Sequence, residues 1–332
     1  MRDKILGVLY GMAIGDAMGM PPELWSRKRV LDTYGEITDF LDGHPDNEIS
    51  FQYKKGNFTD DTSQALTILD SLIETDFVPD GKNIASHILE WAKKENAFEN
   101  NILGPTSKVT LERFSKGESG KEFSDQALSN GAAMRIPPVG TLFLPEQKTE
   151  LCDYVKNISS ITHSSDITLT GACIVAMGVA AAVAGRSKDE MIEDVLAIED
   201  YAMSLGAETV TASIGTRIRY GVKLANEYKD DEKKFLEELY NMMGASVNTV
   251  DSVPCAIAIA YYSYEDVHKC ALLCANLGGD TDTIGAMAVA ISGGVKGMAG
   301  IPKEDVELIQ RANNVDFSDY ATKILEKRGT LA

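Results

Sequence analysis

The stretch Gly278-Gly279-Asp280-Thr281-Asp282-Thr283-Ile284-Gly285 places two carboxylates two residues apart, and a hydroxyl side chain follows each of them. Small and apolar residues continue from 284 to about 298, which predicts a buried helix. A turn that opens into a helix presents side-chain oxygens beside free backbone N–H groups. Hard cations such as Mg²⁺ and Mn²⁺ prefer oxygen ligands. The stretch therefore indicates either a cation site at a helix start or a helix cap that binds no metal.

A second cluster of the same kind, Phe58-Thr59-Asp60-Asp61-Thr62, stands near the other end of the chain. Asp61 and Gln64 match a helix-capping pattern, and apolar residues continue at helical spacing to 73. Capping explains one acidic residue but not the adjacent pair, because like charges repel unless a cation lies between them. The two clusters together supply four carboxylates, about what a site for two Mg²⁺ or Mn²⁺ ions needs. Zinc is disfavoured because no His or Cys ligand set accompanies them.

Glycines mark one face of the first predicted helix, which covers residues 3–19. Gly7, Gly11, Gly15 and Gly19 recur every four residues, and this spacing lines them on one side. Glycine in a helix interior costs about 1 kcal/mol relative to alanine. Four glycines in register therefore indicate that another backbone or a ligand approaches closely, and close helix packing explains most of them.

Helical periodicity dominates the rest of the chain as well. Residues 26–57 read as a long irregular connection, clear β alternation is scarce, and no linker or internal repeat stands out. The sequence therefore predicts one all-α domain over residues 1–332, a compact helical bundle. The further helices that we expect are at 83–95, 108–116, 148–160, 167–184, 188–204, 206–227, 231–243, 250–262, 265–277, 284–298, 303–312 and 317–327.

Composition and charge narrow the function classes. The 332 residues are 44% hydrophobic and carry a net charge of −18, which argues against non-specific binding to nucleic acid or anionic membranes. A phosphate-bearing ligand stays open, since metals and helix N-termini hold phosphates without a basic surface. The five cysteines form no CxxC or Cys/His cluster, which favours reduced thiols. With no signal peptide or uninterrupted apolar span in the sequence, we expect a cytoplasmic monomer that contacts no membrane.

Three other polar positions are candidates for function, each with a plainer alternative. Glu23 follows Pro21-Pro22, a rigid setting for a carboxylate, although an isolated Glu is usually a solvated side chain. The small residues around Asn130 would let backbone N–H groups approach a ligand, or they form an ordinary loop-to-helix junction. His163 precedes a long apolar helix, where a histidine is more often a capping or packing residue than a catalytic one.

Five segments, in this order along the chain, resemble the ADP-ribosylglycohydrolase family. That family includes hydrolases of ADP-ribosylarginine and ADP-ribosylserine and the dinitrogenase reductase-activating glycohydrolases. The pairing of the TDDT segment with a late GGDTDT segment is specific, whereas either segment alone would be a moderate signal. The segments are Gly15-Asp16-Ala17-Met18-Gly19, Phe58-Thr59-Asp60-Asp61-Thr62, Asn130-Gly131-Ala132-Ala133-Met134-Arg135, Thr162-His163-Ser164 and Leu277-Gly278-Gly279-Asp280-Thr281-Asp282-Thr283-Ile284-Gly285.

The resemblance implies an orthogonal all-helical bundle with a binuclear Mg²⁺ or Mn²⁺ centre at the bottom of a cleft. It implies, by position, catalytic roles for Glu23 and Asp61. The implied metal ligands are Thr59, Asp60, Asp61, Asp280, Asp282 and Thr283. The implied substrate-binding residues are Gly104, Thr106, Asn130, Gly131 and His163.

The implied reaction is hydrolysis of the bond between C1″ of ADP-ribose and an acceptor, through an oxocarbenium-like state. Asp61 or Glu23 would take the proton from the attacking water. The expected acceptor is arginine or another guanidine. The alternatives are an O-linked, serine-type hydrolase, a hydrolase that cleaves the pyrophosphate of a nucleoside diphosphate conjugate, and an ADP-ribose-binding protein without turnover.

The chain departs from the family pattern in one place. Many bacterial members carry an acidic residue just before the turn at Gly104, whereas this region reads Glu99-Asn100-Asn101-Ile102-Leu103-Gly104. Either Glu99 takes that role, or Asn100 or Asn101 replaces the acid. In the second case the catalytic base or the leaving-group preference differs.

Overall fold

The computed structural model describes residues 1–100 and 102–331. These residues contain no β-strand and only three isolated bridges, so the prediction of an all-α fold is confirmed. The helices are Arg2–Gly19 (α1), Arg27–Tyr34 (α2), Asp60–Glu74 (α3), Gly81–Lys94 (α4), Pro105–Ser115 (α5), Lys121–Ser124 (α6), Gly131–Met134 (α7), Pro137–Gly140 (α8), Lys148–Ser159 (α9), Asp166–Ala184 (α10), Lys188–Ala197 (α11), Glu199–Ser204 (α12), Ile214–Glu227 (α13), Glu232–Met243 (α14), Thr249–Tyr262 (α15), Val267–Ala275 (α16), Thr281–Lys296 (α17), the 3₁₀-helix Gly297–Gly300, Lys303–Asn313 (α18) and Ser318–Lys327 (α19).

α1 and α17 lie antiparallel at the centre of the molecule with their backbones in contact. A Cβ atom on Gly7 would come closer than 3.0 Å to the backbone of Gly293, a distance that real Cβ atoms essentially never show. At the other end, a Cβ on Gly19 would overlap the backbone of Thr281, whose hydroxyl donates a 2.6 Å hydrogen bond to the Gly19 carbonyl. The prediction that these glycines admit another backbone is therefore confirmed.

α10 is the second central helix, and all its residues but the last are buried. By length and composition it is apolar enough to cross a membrane, yet 94% of its apolar window is buried inside the molecule. The core helix of a soluble protein has the same composition. α10 packs against α9, α11, α15 and α17.

Some sequence expectations about helices were wrong. Residues 26–57 are not entirely irregular, because α2 forms behind Ser26, whose side chain accepts a bond from the Arg29 N–H. The segment 206–213 is not helical. It is held in an irregular form by Asp166, whose carboxylate accepts bonds from the Thr209 N–H (3.0 Å) and hydroxyl (2.5 Å).

The predicted helix at 188–204 is also broken, since a turn at Ile198 separates α11 from α12. The helix expected at 284–298 begins earlier, at Thr281, and ends at Lys296. Gly297 follows with a φ of +66°, a left-handed conformation that favours glycine. The early start matters for the site, because it places Asp282 and Thr283 in the first turn of α17.

Candidate functional site

The turn before α17 is shaped by two glycines in the left-handed region. Gly278 and Gly279 have φ of +85° and +84°. Gly279 also exchanges backbone hydrogen bonds with the segment after α1: its N–H donates to the Trp25 carbonyl, and its own carbonyl accepts from the Leu24 N–H, both at 2.7 Å. A side chain on Gly279 would overlap the carbonyl of Ala245. The turn thus places Asp280 on the side where α1 ends and α3 begins.

The two acidic segments meet in space although more than two hundred residues separate them. The Thr59 hydroxyl lies 3.3 Å from Asp61 Oδ2 and 3.5 Å from Asp282 Oδ2. Thr59, Asp61, Asp282 and Thr283 are all buried. The structure therefore brings together the six residues that the sequence proposed as metal ligands. The four acids among them and two further acids form what we call the carboxylate cluster: Asp16, Glu23, Asp60, Asp61, Asp280 and Asp282.

Burial raises the pKa of every member of the carboxylate cluster. The pKa is raised to about 6 for Asp16 and Asp280 and to about 7 for Asp60, where repulsion from Asp16 adds to the desolvation. For Asp282 and Asp61 burial and then neighbouring carboxylates raise the pKa well above the ordinary value. Such a cluster favours either protons or cations between its members.

The donor set fits hard divalent cations. Asp61 Oδ1 and Asp282 Oδ1 are buried and have no hydrogen-bond partner within residues 1–100 and 102–331, which is costly for a carboxylate oxygen unless something else binds it. The remaining donors are hydroxyl and carboxylate oxygens, which suit Mg²⁺ and Mn²⁺. Among the residues that the structure describes, no three His, Cys, Asp or Glu side chains are already arranged to hold a metal ion. Ligation would therefore require side-chain movements within the cluster.

Asp16 was missed as a site residue by the sequence reasoning. It is fully buried, and each of its two oxygens accepts two bonds. Oδ1 accepts from the Thr59 N–H (2.8 Å) and hydroxyl (2.9 Å), and Oδ2 from the Thr62 N–H (3.0 Å) and hydroxyl (2.6 Å). Asp16 therefore caps α3 from a distant part of the chain. The signal was an acidic residue next to the glycine face of α1.

The predicted cap of α3 by Asp61 and Gln64 was wrong. The helix starts at Asp60 with Thr59 as its N-cap, and no Thr59 side-chain cap bond forms. Gln64 instead donates from Nε2 to Asp60 Oδ2 at 2.8 Å. Since Asp16 accepts from the N–H groups of Thr59 and Thr62 at the start of the helix, Asp61 is not needed as the cap and faces the cluster.

Glu23 sits on a supported turn beside the cluster. Asn47 Nδ2 donates to the Glu23 carbonyl at 2.9 Å and to the Pro21 carbonyl at 3.2 Å. The next residue, Leu24, has a φ of +58°, which is uncommon for a residue other than glycine. Burial and then repulsion from Asp280 and other cluster members raise the pKa of Glu23 well above its ordinary value. The residue as a whole is only partly buried, although its carboxyl lies in the buried cluster.

Tyr53 also faces the cluster and was not identified from the sequence. Burial, followed by the negative charges of Asp60 and Glu23, raises the pKa of its hydroxyl. It lies in the connection between α2 and α3, and its backbone carbonyl accepts a 3.0 Å bond from Gly43. No sequence pattern marks it, because its place depends on how that connection folds back.

Asn130 and His163 hold neighbouring groups in place. Asn130 is buried and donates from Nδ2 to Asp280 Oδ2 (2.5 Å) and to the Ser252 hydroxyl (3.0 Å). His163 is fully buried. Its ring lies against Gly131, where an added Cβ would come within 2.8 Å of the imidazole Cε1. Burial and the nearby Arg135 charge lower the His163 pKa to about 3, so the ring is neutral.

The start of α5 lies beside Gly131. The Ser107 hydroxyl is 3.8 Å from the position that a Gly131 Cβ would occupy. Gly104 is exposed and Thr106 partly buried, so both are accessible from outside. Glu99 and Asn100 are exposed, and Asn101, the other candidate at this point of the family pattern, lies outside the described residues.

Comparisons with known proteins show the family of this chain. A model of the ADP-ribosylglycohydrolase family matches residues 1–331. An uncharacterized protein of Escherichia coli strain K12, YegU, is 40% identical over 326 residues, 98% of this chain and 97% of its own. The ADP-ribosylarginine hydrolase Tri1 of Pseudomonas putida strain GB-1 is 25% identical over 94% of this chain and 76% of its own.

The fold also matches a solved structure. A chain described as an ADP-ribosylglycohydrolase-related protein complex aligns with a TM-score of 0.72 and 22% identity over 98% of both chains, which shows a shared fold. The resemblance seen in the sequence is confirmed by the family match. This chain therefore belongs to the ADP-ribosylglycohydrolase family, whose members are hydrolases that act on ADP-ribose conjugates.

Proposed function

We propose that this protein hydrolyses the glycosidic bond between C1″ of ADP-ribose and a guanidine nitrogen, with ADP-ribosylarginine as its substrate class and two Mg²⁺ or Mn²⁺ ions as cofactors. The observation that carries the proposal is the meeting of the two acidic segments through Thr59, which lies within 3.5 Å of both Asp61 and Asp282. Both segments lie within the residues that the family model matches, which adds support.

The cations would be held by six residues from the starts of α3 and α17. When bound, they would orient the ribose hydroxyls and polarise a water. Asp16 and Asn130 keep two of these ligand positions in place through hydrogen bonds to Thr59 and Asp280. The ligands in this proposal are Thr59, Asp60, Asp61, Asp280, Asp282 and Thr283.

Glu23 is the better placed of the two candidate bases. A general base must come within hydrogen-bond reach of the water that it deprotonates, and its pKa should lie near the working pH. Both carboxyls have a raised pKa, but Glu23 is a partly exposed residue, whereas Asp61 is buried and shares the Thr59 hydroxyl with the cluster. In this assignment Glu23 accepts a proton from water, and Asp61 remains a ligand.

The charge of the site favours a cationic leaving group. Six carboxylates lie together, so two divalent cations would leave the site negative near the scissile bond. A guanidinium is stabilised there, whereas a serine hydroxyl gains nothing from the excess charge. The relative Tri1, named as an ADP-ribosylarginine hydrolase, is consistent with this preference.

The experiment compares two substrates under the same conditions. Peptides ADP-ribosylated on arginine or on serine are incubated with the protein and Mn²⁺, and free ADP-ribose is measured. We expect release from arginine to be at least about tenfold faster, the equivalent of about 1.4 kcal/mol. Faster release from serine would contradict the acceptor assignment, and tight ADP-ribose binding without release from either would support a binding protein without turnover.

The Glu23→Gln variant tests the base. Since positioned acid–base catalysis contributes about 10²- to 10⁴-fold, we expect kcat to fall by about 10²-fold or more with Mn²⁺ binding retained. Unchanged kcat would move the role to Asp61.

A further inference from the structure

Arg135 is a buried cation close to the site with no part in the chemistry described so far. It follows α7 and is 2% exposed, the largest of the fully buried side chains. Removing a guanidinium from water is costly unless its donors and its charge are satisfied. Arg135 makes no ion pair with a carboxylate within 4.0 Å among the described residues. Its charge instead acts on Asp60 from a distance.

The two terminal nitrogens of Arg135 point to different sides of the site. Nη1 donates to Gln64 Oε1 at 2.7 Å, and Nη2 donates to the Thr162 hydroxyl at 2.5 Å. Gln64 lies on α3 with the proposed metal ligands. Thr162 precedes His163 and the start of α10. One rigid guanidinium thus bridges two separate elements, and a lysine could not reproduce this fork.

The Gln64 contact fixes which end of the amide faces Asp60. An amide can present either its oxygen or its nitrogen, but a guanidinium can only donate. Arg135 therefore holds Oε1 toward itself and leaves Nε2 to donate to Asp60 Oδ2, the 2.8 Å bond that is present. Without Arg135 the amide could turn and place its oxygen against the carboxylate, where the two would repel.

The Thr162 contact fixes the tautomer of His163 by the same logic. The Thr162 oxygen accepts from Arg135, so its proton is free to donate to His163 Nδ1 at 2.9 Å; the Ser159 carbonyl is a longer alternative at 3.4 Å. A neutral ring that accepts at Nδ1 carries its proton on Nε2. Nε2 then donates to the Ser129 hydroxyl at 3.2 Å. The ring is thereby locked against Gly131.

We propose that Arg135 is a positioning residue that orders both halves of the site at once: the Asp60 carboxylate through Gln64, and the wall made by His163 and Gly131 through Thr162. The inference rests on the proposed function, because it takes Asp60 as a metal ligand and Gly131 as part of the ADP-ribose wall. We call the contacts of Arg135 with Gln64 and with Thr162 its two arms. The inference predicts that replacing either partner disturbs one half of the site and leaves the other half intact.

Three variants separate the arms. Gln64→Met removes the bond to Asp60 together with one partner of Arg135, Thr162→Val removes the bond to His163 together with the other partner, and Arg135→Met removes the guanidinium that orients both. Calorimetric titration measures the affinity for Mn²⁺ alone and, at saturating Mn²⁺, the affinity for free ADP-ribose. Loss of a residue that orients a ligand typically costs about 10- to 100-fold in metal affinity.

We expect Gln64→Met to weaken Mn²⁺ binding at least about tenfold and to leave the affinity for ADP-ribose unchanged. We expect Thr162→Val to weaken ADP-ribose binding by at least about as much and to leave the affinity for Mn²⁺ unchanged. Arg135→Met should lose both. Thr67→Val is the matched control, because the hydroxyl of this threonine on α3 bonds, among the described residues, only the Ser63 carbonyl of its own helix. It should leave both affinities as they are.

Parent-like Mn²⁺ affinity in Gln64→Met, or parent-like ADP-ribose affinity in Thr162→Val, overturns the inference. So does equal loss of both affinities in each single-arm variant, which would indicate a general structural role. If Arg135→Met does not fold, the two single-arm variants decide alone. A parent protein that binds neither Mn²⁺ nor ADP-ribose contradicts the proposed function itself, and this outcome is visible before any variant is made.

Discussion

The backbones of Gly15 and Gly285 are in direct contact, so that a Cβ on either would overlap the carbonyl oxygen of the other. This contact fixes the register of α1 along α17. Asp16, next to Gly15, reaches the start of α3, while Asp282 stands one turn before Gly285 at the start of α17. The two glycines therefore determine the distance between the acidic segments of the site.

Gly15→Ala should destabilise the fold. The added methyl group has no room between two helix backbones, and overpacking of a core costs about 3 kcal/mol when the neighbours cannot move. The free energy of unfolding by urea measures the loss. Gly81→Ala is the control, because this glycine in the first turn of α4 has only the Asn157 carbonyl nearby, at 3.9 Å. Equal stability of both variants would show that the contact is not tight.

Asp16→Asn should lower both stability and Mn²⁺ affinity. The asparagine oxygen can still accept from one threonine, but its NH₂ group would face the N–H and hydroxyl of the other. A buried donor left without an acceptor costs about 1 to 3 kcal/mol. Urea unfolding and Mn²⁺ titration check the two effects. A variant with parent-like Mn²⁺ affinity would show that the cap on α3 does not position Thr59.

The metal-free protein should become more stable as the pH falls from about 8 to about 6. Asp16 and Asp280 have pKa values raised to about 6, and that of Asp60 is about 7, whereas an unfolded Asp titrates near about 3.9. Carboxyls with a raised folded pKa bind protons on folding, so the stability they contribute is lost as the pH rises through the folded values. Thermal unfolding in EDTA measures the trend.

The lowered pKa of His163 has the opposite effect on stability, and it acts at lower pH. Its folded pKa of about 3 lies below the ordinary value, so its contribution is lost only as the pH falls below about 6.5. Several carboxyls outweigh one imidazole. Saturating Mg²⁺ should reverse the trend, because bound cations require ionised ligands. A melting temperature in EDTA that decreases as the pH is lowered from 8 to 6 would contradict the raised pKa values of these carboxyls.

Asp60→Ala combined with Asp282→Ala should abolish Mn²⁺ binding while the protein stays folded. The change removes one ligand from each acidic segment, and it also relieves repulsion inside the carboxylate cluster, so the metal-free variant should unfold no more easily than the parent. Calorimetry and circular dichroism check the two statements. Asp200→Ala with Asp230→Ala removes the same charge from exposed positions and serves as control. Unchanged Mn²⁺ stoichiometry would refute the ligand assignment.

The fold and the acidic core of the site could be predicted because their signals are local. Helical spacing is repeated over many turns, and the glycines of α1 fall on one face whatever they contact. Neighbouring carboxylates at a helix start repel each other unless a cation lies between them. Asp60 with Asp61, and Asp280 with Asp282, could therefore be identified as candidate site residues. Most helix bounds were within a few residues for the same reason.

The supporting residues could not be predicted because they act across the chain. Asp16 lies 43 residues from Thr59, and a single buried acid on a helix has no local signature. The segment 206–213 lost its helix to the carboxylate of Asp166, a contact between distant elements. His163 was expected at the substrate, and the structure shows both of its ring nitrogens engaged by Thr162 and Ser129. Such partners follow only from the packed structure.

The most direct test is to identify the products released from ADP-ribosylarginine. The protein is incubated with the conjugate and Mn²⁺, with the Asp60→Ala and Asp282→Ala double variant as control, and the products are analysed by mass spectrometry. We expect intact ADP-ribose and unmodified arginine from the parent and neither from the variant. AMP with a ribose phosphate that stays on arginine would show cleavage at the pyrophosphate and contradict a glycohydrolase.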